Sequence, residues 1–247
     1  VNMKREEILL NTNNELKNAE IIKFKHFLLR RHQKEPIAYI LGYKHFWKHK
    51  FLTNKSVLIP RPDTELVVEE TLKYLPNDKS KKILDVGTGS GCIVVSLIKE
   101  RPKCTATAID ISIKALNVAK TNAKLHQLEN KIKFINIDID KYKSYNYDLI
   151  ISNPPYINSI DLSRLDDDIK FHEPKIALSG GSDGFRDIKK VIIKSKKLLK
   201  INGKLIIEIG YGQRNQSLKI LNENGFYINK ISKDLSGIDR CIISTKL

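Results

Sequence analysis

The residues that could do chemistry in this chain stand in two short runs, Asp85-Val86-Gly87-Thr88-Gly89-Ser90-Gly91 and Asn153-Pro154-Pro155-Tyr156. In the second run neither proline has a backbone N–H, so the main chain offers carbonyl acceptors with few competing donors, and the Asn153 side chain adds another acceptor. Such a corner suits an NH₂ group. The nitrogen of an amide or aryl amine is a poor nucleophile because its lone pair is delocalised into the neighbouring π system. Acceptors gripping its two N–H bonds would orient it and favour the charge that develops as it attacks a methyl group. Tyr156 supplies a flat face that can stack on the planar group near a cationic sulfonium methyl donor. Holding donor and acceptor in line is worth up to roughly 7–11 kcal/mol, so methyl transfer to a planar nitrogen needs no strong general base. Once alkylated the nitrogen is acidic, and water can take its proton. A lone Asn-Pro is more often a strand-ending turn, so the reading leans on the glycine run.

Ile83-Leu84-Asp85-Val86 reads as a short buried strand, Gly87, Thr88, Gly89, Ser90 and Gly91 as a tight turn, and residues 92–98 as the first turns of a helix. This is the first βα unit of a nucleotide-type fold, in which the main chain approaches a ligand closely and the helix N-terminus favours a carboxylate. A dinucleotide fingerprint would place a third glycine where Cys92 stands, and the Gly-Lys-Ser/Thr of a P-loop is absent. The next strand, 105–109, ends in Asp110, about twenty residues past the turn, where an acid accepts from both hydroxyls of an unphosphorylated ribose. A third strand, 132–135, leads to Asp138 and Ile139, placed to meet an adenine edge and face. Glycine turn, acid and Asn-Pro-Pro-Tyr at three successive strand ends form a specific set.

The elements that must position these residues follow from the patterning. Residues 5–16 and 19–31 read as short helices, and 35–60 as a connector with strand-like pieces at 39–43 and 51–58, rich in Tyr39, Tyr43, Phe46 and Trp47. Pro62-Asp63-Thr64 opens an apolar-periodic helix and reads as its N-cap rather than as half of an acid/base pair with Glu65. An amphipathic helix over 188–199 is stopped by Asn202-Gly203, and the chain ends in two strands, 227–232 and 240–244. Alternating helix and strand from Arg61 onward predicts an α/β fold with a parallel sheet and an antiparallel ending. Ligands bind such sheets where the strand order reverses, and there the two runs would meet.

Asn-Pro-Pro-Tyr is shared by S-adenosylmethionine-dependent methyltransferases acting on adenine N6, cytosine N4 or protein glutamine N5. The upstream context separates them. Glu35-Pro36-Ile37-Ala38-Tyr39-Ile40-Leu41-Gly42, Phe46-Trp47 and Val57-Leu58-Ile59-Pro60-Arg61-Pro62-Asp63-Thr64-Glu65 closely resemble the segment before the catalytic domain of the HemK/PrmC family, the peptide chain release factor glutamine N5-methyltransferases. The likeness continues through Phe171-His172-Glu173-Pro174, Ala177-Leu178, Gly180-Gly181-Ser182-Asp183-Gly184 and Asp239-Arg240. It implies a Rossmann-like seven-stranded methyltransferase fold in which Gly87, Thr88, Gly89, Ser90, Gly91, Asp110, the Asp138–Ile139 region and Asn153 bind S-adenosylmethionine. It implies also that Asn153 and the Pro154 carbonyl hold a glutamine amide beside Pro155 with Tyr156 packed on it, and that the glutamine belongs to the Gly-Gly-Gln loop of class I release factors. Thirty-four residues precede Glu35, fewer than the family's helical N-terminal domain carries, so residues 1–34 are expected to be a shortened docking segment, 35–60 a connector with a β-hairpin, and 61–247 the methyltransferase domain.

Composition sets the outer bounds. The 247 residues suffice for one catalytic domain with a small appendage. No window is apolar enough to span a membrane and no leader stands out, so a cytoplasmic protein is expected. Cys92, Cys104 and Cys241 are too few and scattered for a disulfide framework, no Cys/His spacing marks a metal, and His45 and His49 do not share a helix. Asp166-Asp167-Asp168 reads as a solvated turn. The net charge of +16 arises from lysines spread along the chain, with denser stretches at 23–34, 44–50 and 189–200, and reads as a solvated surface more than a nucleic-acid site. The alternative function, an amino-methyltransferase of DNA or RNA, would use the same corner but lacks a segment to hold a flipped base. A fold retained only for binding would have no need of Asn153 and Tyr156.

Overall fold

The computed structural model describes residues 5–11 and 13–247; the expectations for residues 1–4, and for Thr12 inside the first helix, fall outside the described residues. Helix α1 (Arg5–Leu10) ends six residues before the expected stop at Leu16. There the Asn11 side chain donates to the Glu7 carbonyl at 2.7 Å, taking the place of the next backbone bond. Helix α2 (Asn18–His32) follows, and Arg30 grips Glu35 through two 2.7 Å hydrogen bonds, tying α2 to the connector.

The expected strand at 39–43 is instead helix α3 (Ile37–Leu41), entered after Pro36 and closed by Gly42. Five residues are too few to display a helical period. Strands β1 (Tyr43–Phe46) and β2 (His49–Leu52) form an antiparallel hairpin. The strand expected over 51–58 ends at Leu52, because Asn54 accepts from the backbone N–H groups of Ser56 (2.9 Å) and Val57 (3.1 Å) and turns the chain.

A 3₁₀ turn, Pro62–Thr64, leads into α4 (Glu65–Leu72). The chain then alternates through β3 (Lys82–Val86), α5 (Cys92–Glu100), β4 (Thr105–Asp110), α6 (Ile113–Leu125), β5 (Ile132–Asn136) and β6 (Tyr147–Ser152). Short helices α7 (Ser159–Ser163) and α8 (Asp167–His172) follow, then α9 (Arg186–Leu198), β7 (Leu199–Glu208), α10 (Arg214–Glu223), β8 (Phe226–Lys233) and β9 (Asp239–Lys246). Asp166-Asp167-Asp168 is thus not a bare turn: it opens α8, where carboxylates favour the helix N-terminus, and Asp168 lies 3.5 Å from Arg31. Asn202 and Gly203 fall inside β7 rather than stopping α9, because Leu199 already pairs with Tyr147.

The seven strands form one sheet in the order β5-β4-β3-β6-β7-β9-β8, parallel except that β9 runs against both neighbours. Side chains alternate across it, as a period of two requires. Ile83, Leu149, Ile151 and Ile206 pack in the layer with α4 and α5, while Leu84, Ile150, Leu205 and Ile207 pack in the layer with α9 and α10. Burial on both faces explains why these strands read as unbroken apolar runs. Strand order reverses between β3 and β6, and a crevice opens at their carboxyl ends. The hairpin is fastened beside it by Asn122 of α6, which accepts from Leu52 N–H (2.7 Å) and donates to the carbonyls of Leu52 (3.0 Å) and Ser90 (2.8 Å).

Candidate active site

The turn after β3 is held from below and from the side. The amides of Gly87 and Thr88 donate to the Ile109 carbonyl at 2.9 and 3.1 Å, and the Thr88 hydroxyl donates to Asp85 at 2.7 Å. Asp110, at the end of β4, accepts from Gly89 N–H (2.9 Å) on one oxygen and from Ser112 N–H (2.8 Å) on the other. Each carboxylate oxygen keeps a second lone pair for a ligand hydroxyl. Burial pushes the Asp110 carboxyl up, against the opposing pull of those two amides. Gly91 caps α5 with φ 78°, and a Cβ there would lie 3.2 Å from that of Ala119, so this glycine serves helix packing.

These elements enclose a cavity lined by Gly87, Thr88, Gly89, Ser90, Asp110, Ile139, Asn153, Pro154 and Pro155, with Asp138 at its edge. Gly91 and Tyr156 are not among its lining residues. Asp138 pairs with Lys190 of α9 at 2.9 Å and accepts from Asp140 N–H at 2.9 Å, which fixes the loop that presents Ile139. At the other wall, β6 ends where the Ser152 hydroxyl donates to the Val86 carbonyl (2.8 Å), and Asn153 follows directly. The Asn153 Nδ2 donates to the Thr64 hydroxyl at 3.0 Å, which leaves Oδ1 as the atom to accept from a ligand. Pro154 and Pro155 then carry the chain to Tyr156, whose ring packs in the layer with α9 and α10 and whose hydroxyl donates to Glu208 at 3.3 Å.

Glu208 is a feature the sequence reading passed over. It closes β7, is buried, and burial pushes its carboxyl up to about 7 despite the opposing Thr64 hydroxyl, Arg240 and Tyr156. Burial and the Glu208 charge together push the Tyr156 phenol above its ordinary range, so it stays protonated. Asp63 does not cap α4 through its side chain; it lies 3.6 Å from Arg240, which pulls it toward β9, and Glu65 turns away to accept from Trp47 N–H at 2.7 Å. The two do not form a catalytic pair. Glu173 is likewise structural, accepting from Ile59 N–H (3.1 Å) and from Arg61. The signal for Glu208 was present in the sequence: one acid inside the apolar run Leu205-Ile206-Ile207-Glu208-Ile209.

Residues 64–165 match the family model described as the methyltransferase small domain, and residues 1–42 match the PrmC N-terminal domain. The release factor glutamine methyltransferase of Caulobacter vibrioides is 36% identical over 243 residues, covering 98% of this chain and 84% of that protein. The chain belongs to the release factor glutamine methyltransferase family. The bifunctional methyltransferase of Rickettsia bellii is 38% identical over 269 aligned residues, covering 98% of this chain and 48% of that protein. Against relatives of that kind the chain spans about half their length. Among solved structures, a methyltransferase from Pyrococcus furiosus superposes with a TM-score of 0.58 at 15% identity, covering 93% of this chain and 99% of that one. The ribosomal protein L11 methylase of Lactobacillus delbrueckii gives 0.55 at 21% identity, over 75% and 80%. These two likenesses bear on the fold, which is the Rossmann-like seven-stranded methyltransferase fold.

S-adenosylmethionine is the methyl donor of such a methyltransferase, and the cavity fits it. Asp110, bonded to Gly89 of the turn, offers free carboxylate lone pairs to ribose hydroxyls, and Ile139 with Ile111 offers apolar surface for a flat base. Beneath the turn and outside the cavity lining, the buried Asp85 accepts from the Thr88 hydroxyl, and burial pushes its carboxyl up to about 7. Among the described residues no cluster of three or more His, Cys, Asp or Glu is arranged to hold a metal ion, and all three cysteines are free and buried. No helix among the described residues is long and apolar enough to cross a membrane.

Proposed function

We propose that the chain transfers a methyl group from S-adenosylmethionine to the side-chain N5 of the glutamine in the Gly-Gly-Gln motif of class I release factors. One observation carries the reading: Asn153, Pro154 and Pro155 line the same cavity as Gly87, Thr88, Gly89, Ser90 and Asp110. Donor and acceptor sites therefore share one wall-to-wall space, as in-line transfer requires. The bound cofactor supplies an electrophilic methyl on a sulfonium centre. The chain does the rest by position. Asp110 would accept from the ribose hydroxyls, and the Gly87–Ser90 turn would hold the cofactor's amino-acid end. Asn153 Oδ1 and the Pro154 carbonyl accept the two N–H bonds of the substrate amide, aiming its lone pair at the methyl and favouring the charge that builds on nitrogen. Water takes the proton released afterwards. Tyr156 follows Pro155 with its ring held in the layer with α9 and α10, and Gly91 supports the turn by packing on Ala119 of α6.

Residues 1–34 are assigned as the docking segment, 35–60 as the connector and 61–247 as the catalytic domain. Arg30–Glu35 and Arg31–Asp168 tie α2 to the connector and to α8, and the chain after α8 reaches the cavity lining at Pro174, Ile176 and Ala177. A release factor is a cytoplasmic partner, so the enzyme works in the cytoplasm. The nucleic-acid alternative is not favoured by the family to which the chain belongs. Incubation with labelled S-adenosylmethionine and, separately, a class I release factor, duplex DNA and single-stranded DNA tests the proposal. Label confined to the release factor glutamine is expected; label on DNA alone would overturn it.

A further inference from the structure

Pro154 and Pro155 have ring-locked φ angles, so the run from Asn153 to Tyr156 behaves as a stiff rod. Motion at one end reaches the other instead of being absorbed. The Asn153 end is fixed by β6 and by Thr64. At the Tyr156 end a single side chain gathers the main chain: Gln213, buried at the start of α10. Its Oε1 accepts from Gly210 N–H at 2.8 Å, and its Nε2 donates to the carbonyls of Tyr156 (3.0 Å) and Gly184 (3.1 Å). Both N–H donors and the carbonyl oxygen of this amide are engaged. The loop Gly180–Gly184 closes the seat from the opposite side. A Cβ on Gly180 would stand 2.8 Å from the Pro155 carbonyl, and one on Gly184 would stand 2.6 Å from the Tyr156 carbonyl and 2.8 Å from Gln213 Nε2. No side chain fits at either place, and Gly184 also has φ 79°. Neither glycine nor Gln213 lines the cavity.

We infer that Gln213 is a positioning residue of the methyl-transfer site: by holding the Tyr156 carbonyl in the Gly180–Gly184 seat, it sets through the Pro-Pro rod the angle at which Asn153 and the Pro154 carbonyl meet the substrate amide. This rests on the proposed role of that corner. The cofactor half of the cavity is built on β3 and β4 and is independent of it. Gln213→Glu keeps the size and the bond from Gly210 but sets a carboxylate against two carbonyls. Gln213→Asn keeps the amide and draws it back by one methylene.

Both variants are to be measured by single-turnover methylation of a release factor, titration with S-adenosylmethionine and thermal melting. The expected result is a kcat lowered by up to about 10²-fold, the cost of an ångström-scale misplacement, with the Kd for S-adenosylmethionine unchanged. In Gln213→Glu the loss is expected to shrink as pH falls, because a protonated carboxyl regains one donor, a recovery that general destabilisation would not give. An unaltered kcat in either folded variant, or loss of cofactor affinity in step with kcat, overturns the inference. Gln213→Asn carries the test if Gln213→Glu does not fold. Should the unaltered chain label something other than a release factor, the substrate reading fails, and the same ratios on the labelled substrate judge Gln213 separately.

Discussion

Thr64 and Asn153 are expected to act as one unit. Thr64 is buried, its hydroxyl accepts from Asn153 Nδ2 at 3.0 Å, and the same hydroxyl faces Glu208. Thr64→Val keeps the shape and removes the acceptor, so the Asn153 amide loses the bond that decides which end faces the cavity. A neutral hydrogen bond of this kind nets about 0.5–1.5 kcal/mol, which is a loss of roughly two- to twelve-fold in kcat. Asn153→Ala deletes the acceptor itself. By analogy with a single preorganised polar group at a reaction centre, it is expected to lower kcat by roughly 10²–10³-fold while leaving cofactor affinity nearly intact. Because Thr64 works through Asn153, adding Thr64→Val to Asn153→Ala should cost almost nothing further, giving a coupling energy of about 1 kcal/mol. Single-turnover kinetics on the four proteins of this cycle, with the S-adenosylmethionine Kd of each measured by calorimetry, provides the test. Full additivity would refute the reasoning, and so would a collapse of cofactor affinity in Asn153→Ala.

Asp110→Ala should weaken S-adenosylmethionine by about 1–3 kcal/mol through loss of charge-assisted bonds to the ribose, and an unchanged calorimetric Kd would contradict the assignment. Glu208 has a folded-state pKa raised from 4.5 to about 7, so it contributes stability that is present below 4.5 and lost as pH rises through about 7. Urea midpoints for Glu208→Gln should therefore fall less across that window than those of the unaltered chain, with Asp85, raised from 3.8 to about 7, leaving a residual slope of the same sign. Asn122→Ala removes three bonds that join α6, the hairpin and the glycine turn, and is expected to cost about 2–4 kcal/mol of stability by denaturant titration.

The parallel sheet was legible because its strands are buried on both faces: Ile83-Leu84 and Leu149-Ile150-Ile151 leave no solvent-facing residue to blur the pattern. Asp110 and the Asn153–Pro155 corner could be brought together from the sequence because each closes an apolar strand next to the one that leads into the glycine turn, and they line one cavity with it. Helix α3 was hidden by its length of five residues, and the run after Leu52 by a turn that one asparagine imposes. Thr64 and Gln213 could not be assigned along the chain, because their partners Asn153 and Tyr156 lie more than fifty positions away; Glu208 stood out as a lone acid in an apolar run, but its partner Tyr156 did not. Asp63 shows the converse: a good local cap is overridden when Arg240 of β9 draws the carboxylate to within 3.6 Å.

In the proposed reaction one cavity holds S-adenosylmethionine on Asp110 and presents an amide nitrogen to it on Asn153 and Pro154. The most direct test is mass spectrometry of a class I release factor after incubation with S-adenosylmethionine and this protein, alongside a release factor whose Gly-Gly-Gln glutamine is replaced by asparagine. A single added methyl is expected on the side-chain nitrogen of that glutamine and none on the replaced protein. A methyl elsewhere on the release factor, or an equal yield from the replaced protein, would contradict it.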